Sequence, residues 1–326
     1  MRIGILGRTH LLYDAVAPLA AAGHEPACIV TCAAAPEYRR TADDFRRLAE
    51  ELNCPFLHTE RINSPEALTF IGKTQPDIGV SVNWRTIVGR KCRNLFPLGI
   101  INVHLGDLPR YRGNATPNWA IINGESKTVV TLHLMAAALD AGPIVLQRDI
   151  PIESTTYIGD VYDRAAELAP AMLVEAVAGL ADKSLVPRPQ DDNPATTLRC
   201  YPRLPRDSEI DWRLTADHLG RLVRASSRPY RGAYTYIEGD KLTIWRAHAE
   251  AAPGPYLGTP GQVAEVRPKT GEVAVISGDG FLVLERVGRA DEPERPAADV
   301  ITSNRTRLGL DIAAELMRIK KALLHD

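Results

Sequence analysis

Ile101-Asn102-Val103-His104-Leu105-Gly106-Asp107-Leu108-Pro109-Arg110-Tyr111-Arg112-Gly113, with Leu139-Asp140-Ala141-Gly142 downstream, decides how this chain is read. The run Gly99 to Val103 reads as a buried strand, and side chains two apart on a strand leave on one face. Asn102 and His104 therefore project together, an amide beside an imidazole. Asp140 lies 36 positions beyond His104 (140 − 104), room for a helix and a strand to return it to the same end of a parallel sheet. An acyl-transfer site needs a donor to an oxyanion, a proton acceptor and a group that orients that acceptor. The three side chains supply those roles.

Outward from this stretch, apolar runs and helical periodicity alternate. Ile3 to Leu6, Ala27 to Thr31 and Asp77 to Val82 read as strands. Leu11 to Ala22, Thr41 to Leu52 and Pro65 to Gly72 read as helices, the second with Phe45, Leu48, Ala49 and Leu52 on its apolar face. Val129 to Met135 and Ile144 to Arg148 follow as strands, then Tyr157 to Leu180 as a helix that Pro170 kinks or splits. Such alternation implies an α/β fold with a Rossmann-like parallel sheet covered on both faces. Ligands of these sheets sit beyond the carboxyl ends of the strands, where Asn102 and His104 are placed. A proline-rich stretch from Leu185 to Pro205 reads as extended, giving a catalytic domain over 1–190, a linker over 191–205 and a C-terminal domain over 206–326. In the last, Thr215 to Ala225 reads as a helix. Tyr234 to Ile237, Leu242 to Ala247, Gly261 to Val266, Gly271 to Ile276 and Phe281 to Val287 read as strands of a small barrel. Thr302 to Leu324 reads as a turn and an amphipathic helix.

The motif resembles that of the N10-formyltetrahydrofolate-dependent formyltransferases, Asn-x-His-x-Ser-x-Leu-Pro, then Tyr-Arg-Gly and a later Leu-Asp-x-Gly. Asn102, His104, Leu108, Pro109, Tyr111, Arg112, Gly113, Leu139, Asp140 and Gly142 fill the matching positions, and Gly106 stands where the family often has serine. The likeness extends to Asn118 through Glu125, Thr131-Leu132-His133, Ile210-Asp211-Trp212 and Arg228 through Tyr234. It implies a formyltransferase fold with an OB-like C-terminal β-barrel and N10-formyltetrahydrofolate as formyl donor, with no metal. His104 is the expected base, Asn102 the oxyanion donor and Asp140 the orienting carboxylate. It further implies a pterin pocket built from Asn83, Trp84, Arg85, Thr86 and Ile87 with Met135 and Leu139. Trp84 as plain core or lid stays open beside this.

Arg110 and Arg112 flank Tyr111 on a loop, where guanidinium groups can meet phosphate or carboxylate of a substrate. A structural loop with Arg112 paired to an acid such as Asp107 is the equal alternative. His10 and Arg8 follow the first strand and are further substrate candidates, with a solvated loop as their plainer account. That turn, Gly7-Arg8-Thr9-His10-Leu11-Leu12, has neither G-x-G-x-x-G nor a P-loop, and the missing glycine fingerprint argues against a nicotinamide oxidoreductase. It also lacks the glycine-rich cradle of glycinamide ribonucleotide formyltransferases.

Lys plus Arg number 39 against 40 Asp plus Glu in 326 residues, so a net charge of −1 gives no general case for nucleic acid as partner. Similarity to sugar N-formyltransferases makes a small-molecule amine, a nucleotide-linked amino sugar, the expected acceptor. The alternative is methionyl-tRNA formyltransferase, with initiator tRNA as the one nucleic-acid partner. For that enzyme the resemblance leads one to expect a basic insertion after the second strand, whereas Cys32 to Asp44 is short and mixed in charge. A nucleic-acid-binding barrel using Tyr234, Tyr236 and Trp245 is a separate class of reading. The five cysteines are scattered and odd in number, fitting a reducing cytoplasm, and Cys28 with Cys32 reads as buried strand rather than metal ligand. No membrane segment is expected from the glycine-broken N-terminal run. Homodimerisation is left open.

Overall fold

The structure, a computed structural model, describes residues 1–36, 38–191, 193, 195–289 and 292–323. Asp192 and Pro194 of the expected linker, and Leu324 at the end of the expected last helix, lie outside the described residues. Two compact units divide the chain: Met1–Thr116, Ser126–Ile152 and Asp160–Pro202 form one, and Pro117–Glu125, Glu153–Gly159 and Arg203–Asp326 the other.

The first unit opens with β1 (Arg2–Gly7), α1 (His10–Ala21), β2 (Glu25–Thr31), α2 (Ala42–Glu51) and β3 (Phe56–His58). It continues with α3 (Pro65–Thr74), β4 (Ile78–Val82), α4 (Arg90–Arg93) and β5 (Ile100–His104). Beyond the motif come β6 (Tyr111–Gly113), β7 (Lys127–Leu134), β8 (Ile144–Pro151), α6 (Ile158–Ala181) and β9 (Leu198–Cys200), while α5 (Thr116–Ile122), between β6 and β7 in sequence, lies from Pro117 on in the second unit. Seven strands make one sheet in the order β3-β2-β1-β4-β5-β7-β8. The first five are parallel, and β4 is buried at every residue because both of its faces are covered.

Local chemistry sets the helix ends. Thr41 and Asp44 form a capping box on α2, the Thr41 N–H donating to Asp44 Oδ2 at 2.7 Å, and Phe45, Leu48 and Ala49 are buried beneath it. Ser64 caps α3, whose first residue is Pro65. Pro170 neither splits nor ends α6, which runs unbroken from Ile158 to Ala181.

Two expectations change. β7 and β8 are antiparallel to their neighbours, so the sheet is mixed beyond β5. The proline-rich stretch is extended but is not an unpaired linker: β9 pairs in parallel with β6, Gly113 opposite Cys200, and the Asn114 N–H donates to the Cys200 carbonyl at 3.0 Å. Backbone donors and acceptors of the motif loop thereby find partners in a segment the sequence reads as free.

The second unit holds α7 (Ala216–Ser226), capped by Thr215, and an antiparallel sheet ordered β10-β11-β14-β13-β12. Its strands are β10 (Ala233–Ile237), β11 (Asp240–Glu250), β12 (Val263–Arg267), β13 (Glu272–Ile276) and β14 (Phe281–Arg289). A two-residue β15 (Arg295–Pro296) pairs with β14, and α8 (Ile312–Leu323) follows. Consecutive residues Val273, Ala274 and Val275, and Leu282, Val283 and Leu284, are fully buried, so these strands are covered on both faces. The Trp212 indole donates to Thr235 Oγ1 at 3.0 Å. Tyr234, offered by the sequence as a base-stacking residue, is 8% exposed with its hydroxyl donating to Glu209.

Residues 117–125 belong to this unit although they precede β7, and Asn118 Nδ2 donates to the Ala225 carbonyl at 2.8 Å. A fragment ending at Pro202 strips the partners from Asn118, Ile121 and Ile122, and each isoleucine is worth about 1.5–3 kcal/mol of burial. Such a fragment is expected to aggregate. Light scattering checks this, and a monodisperse fragment with native circular dichroism would contradict it.

Candidate active site

β5 delivers Asn102 half-buried and His104 at 7% exposure. Their period-two spacing puts both on one face, and register places His133 of β7 directly across from Asn102. Asn102 Nδ2 lies 3.1 Å from His133 Nε2. His133 Nδ1 is 3.0 Å from the Leu134 carbonyl, which can only accept, so Nδ1 carries the hydrogen and Nε2 accepts from Asn102. One of the two amide N–H bonds of Asn102 is used in this way.

Asp140 reaches the same cluster by a route different from the one the spacing suggests. Because β7 is antiparallel, it ends away from His104, and residues 135–143 fold back to bring the carboxylate in. Asp140 Oδ2 stands 3.7 Å from His104 Nδ1 and Oδ1 stands 3.6 Å from His133 Nε2, with the side chain 10% exposed. Oδ2 also accepts the Gly113 N–H at 2.9 Å. The residue itself has a left-handed backbone, φ 50°, which costs a non-glycine residue energy.

Neighbours hold that turn. Gln190 Nε2 donates to the Asp140 and Gly142 carbonyls at 2.8 and 2.6 Å, while Gln190 Oε1 accepts from Arg112 Nε and Nη2 at 3.1 and 2.8 Å. Arg112 also donates to the Asp191 carbonyl. The Tyr-Arg-Gly and Leu-Asp-x-Gly motifs are thus tied through a glutamine 78 residues from Arg112. Gly142 admits no side chain, since a Cβ there falls 1.7 Å from the Leu134 carbonyl oxygen. Gly142→Ala is expected to lower the urea midpoint by at least the equivalent of about 1–3 kcal/mol, the usual cost of overpacking, and to lose turnover with it. An unchanged midpoint would contradict the contact.

Charge follows from this packing. Burial drives the His104 pKa below the ordinary histidine value, opposed by Asp140 and by the hydrogen bond to the Tyr111 carbonyl. Burial pushes the Asp140 carboxyl up, but the neighbouring His133 and His104 imidazoles and the Gly113 N–H outweigh it and hold the net value below the carboxylate norm. A neutral imidazole beside an ionised carboxylate can take up a proton and have the resulting charge stabilised.

Of the expected pterin residues, Trp84 and Met135 pack against one apolar cluster that includes Leu6, Val88, Phe96 and Ile100. Ile87 and Leu139 are 71% and 44% exposed. Trp84 Nε1 donates to Thr86 Oγ1 at 3.2 Å, Arg85 pairs with Glu60 at 2.9 Å, and Asn83 donates to the Tyr38 hydroxyl. Asn63 pins the loop by accepting from the Gly89 N–H and donating to the Ile87 carbonyl.

His10 begins α1 with both ring nitrogens lacking a hydrogen-bond partner, and its pKa is lowered by burial and by Arg39. Tyr111 is 2% exposed and presents its carbonyl, not its ring, to His104. The Arg110 guanidinium lies 5.1 Å over the Tyr111 ring. His133 is the functional candidate that sequence reasoning passed over. Its only signal is Thr131-Leu132-His133 in the resemblance, because the pairing with Asn102 is a matter of register.

All five cysteines are buried and unpaired, the Cys28 thiol pushed up by burial to about 11. Among the described residues no group of three His, Cys, Asp or Glu stands close enough to hold a metal, and no helix is long and apolar enough to cross a membrane.

The groups gathered at the end of β5 are an amide, two imidazoles and a carboxylate, a set that can accept and pass on a proton. Residues 1–177 match the formyl transferase family and residues 204–305 match the formyl transferase C-terminal domain. The chain belongs to the formyl transferase family, and its formyl donor is N10-formyltetrahydrofolate. It is 33% identical over 308 residues to methionyl-tRNA formyltransferase of Solibacter usitatus, covering 94% of this chain and 96% of that one. The corresponding enzyme of Chloroflexus aurantiacus is 33% identical over 290 residues, with 88% and 92% covered. Among solved structures, an N-formyltransferase from Helicobacter canadensis in complex with folinic acid and dTDP-3-aminofucose shares the fold. It superposes with a TM-score of 0.65 at 15% identity, covering 87% of this chain and 98% of that one.

Proposed function

We propose that this formyltransferase acts on the primary amine of a nucleotide-linked amino sugar, with His104 as base, Asn102 as oxyanion donor and Asp140 orienting and stabilising the imidazole. The buried array Asn102–His133–Asp140–His104 is the observation that carries the reading. The amine lone pair forms a C–N bond to the formyl carbon, and the carbonyl π pair moves onto oxygen, where the Asn102 amide donates. His104 takes one proton from the new ammonium. The oxyanion then re-forms its double bond as the bond to N10 of the donor breaks, and N10 receives the proton, leaving tetrahydrofolate and a formamide.

The pterin lies, in this reading, against Trp84, Met135, Ile87 and Leu139, with polar contacts from Asn83, Arg85 and Thr86. The acceptor approaches over His10, Arg110 and Arg112, with the expected Tyr111 side chain buried under the Arg110 guanidinium instead of facing the acceptor. The segment after β2 supports a small acceptor: Arg39 is paired with Asp163 at 2.7 Å and Arg40 with Asp14 at 3.7 Å, surface ion pairs within the chain. Binding of tRNA rests on several cations directed at phosphates. A second reading, formylation of methionyl-tRNA, is favoured by the 33% identity to such enzymes over most of both chains.

One assay separates them. Tetrahydrofolate release is followed with dTDP-, UDP- and GDP-linked amino sugars, with charged initiator tRNA, and with no acceptor. The expected result is release with an amino sugar, which also raises the melting temperature. Release with methionyl-tRNA alone selects the second reading, and equal release without acceptor makes the protein a hydrolase.

A further inference from the structure

The His104 ring lies across the bare α-carbon of Gly106. Its Nε2 is 2.7 Å from the Tyr111 carbonyl oxygen, and a Cβ on Gly106 would stand 2.5 Å from Nε2, 2.7 Å from that oxygen and 3.0 Å from the ring Cδ2. A side chain of any size would therefore fall between the ring and the carbonyl. The loop cannot readily retreat instead. Thr131 Oγ1 donates to the Gly106 carbonyl at 2.8 Å, Thr116 Oγ1 to the Leu105 carbonyl at 2.7 Å, and the Tyr111 N–H to the Asp107 carbonyl at 2.9 Å. Gln147 Nε2 fixes the Leu108 carbonyl at 3.0 Å.

We propose that Gly106 is a positioning residue for the reaction: its missing side chain lets the imidazole donate Nε2–H to the Tyr111 carbonyl, which makes Nδ1 the nitrogen that takes the proton. A neutral imidazole has one N–H, and a carbonyl can only accept, so the hydrogen on Nε2 leaves the lone pair on Nδ1. Nδ1 faces Asp140 Oδ2 at 3.7 Å. Proton uptake there creates an imidazolium whose new N–H points at a carboxylate. The titratable groups facing the ring are Asp140 from the loop after β7 and His133 from β7, whose ring centroid is 6.2 Å away at an interplanar angle of 82°. Neither can donate a hydrogen bond to Nδ1 in the arrangement described, because Asp140 is ionised and the His133 hydrogen is given to Leu134. The inference rests on His104 being the base.

Nitrogen-15 spectra of histidine-labelled enzyme near neutral pH, assigned by the signals missing from His104→Ala, test it without relying on turnover. The expected tautomer of His104 is Nε2–H with a bare Nδ1; an Nδ1–H tautomer overturns the proposal. Gly106→Ala is expected to mix the tautomers and to lower kcat roughly 10²-fold, the size a displacement of about 1 Å produces, with KM for the folate donor unchanged. The acid limb of kcat should also move to lower pH, since the lost carbonyl contact stabilised the charged ring. Wild-type kcat and unaltered His104 signals in Gly106→Ala overturn the proposal. Full activity of His104→Ala would instead sink the base assignment while the spectra still report the tautomer. If Gly106→Ala fails to fold, the tautomer of the unmodified enzyme decides.

Discussion

Replacing His104 with alanine is expected to lower acceptor-dependent turnover roughly 10²- to 10⁴-fold, the usual contribution of a positioned base. The fold should survive, because Asp140 keeps its contacts with His133 and the Gly113 N–H and is not left as an unpaired buried charge. Kinetics and a melting curve read together check this, and loss of folding alone would return His104 to a structural role. The pH dependence has a definite sign. Since burial lowers the His104 pKa, the base form persists below the ordinary 6.5, and the acid limb of kcat/KM should fall below that value. Asp140→Asn removes a charge that raises the pKa, so it should move the limb lower still. Stability follows the same linkage. Below 6.5 the unfolded chain binds the proton first, so the contribution of the neutral ring is complete above 6.5 and is lost as pH falls toward the folded value.

Asn102→Ala is expected to reduce kcat roughly 10²- to 10³-fold, about 3 kcal/mol, with little change in KM for the donor. The effect comes from charge development. An amide N–H aimed at the reacting oxygen does little for a neutral formyl group and much for the oxyanion, so its loss falls on kcat. The substitution also takes the donor from His133 Nε2, an imidazole 2% exposed, and a modest fall in stability should accompany it. A rise in KM at constant kcat would assign Asn102 to donor binding instead.

Much of this site could be read from local sequence, and the rest depends on pairing between distant segments. Asn102 and His104 share a face because a strand has period two, which needs no partner. The helix starts read at Thr41, Pro65 and Thr215 fall within one residue of those of α2, α3 and α7 for the same reason, since helix ends are set by chemistry between residues three apart. His133 was not, because its place opposite Asn102 is set by the register of an antiparallel strand that alternation of strands and helices had suggested to be parallel. Arg112 is held by Gln190 rather than read from its neighbours, and β9 was concealed by the prolines around Leu198–Cys200. The segment 117–125 carries helix-forming and apolar residues that would serve either unit equally well, so only the structure assigns it to the second.

The central claim is that this cluster moves a formyl group from folate nitrogen to an amine. Carbon-13 spectra of a single turnover with N10-[13C]formyltetrahydrofolate and a panel of amine acceptors test it most directly, with enzyme in excess of donor. The label should appear as a formamide on the acceptor, at a rate that collapses in His104→Ala of equal melting temperature. Label released as formate regardless of acceptor, or a formamide formed as fast by His104→Ala as by the unmodified enzyme, would contradict the account.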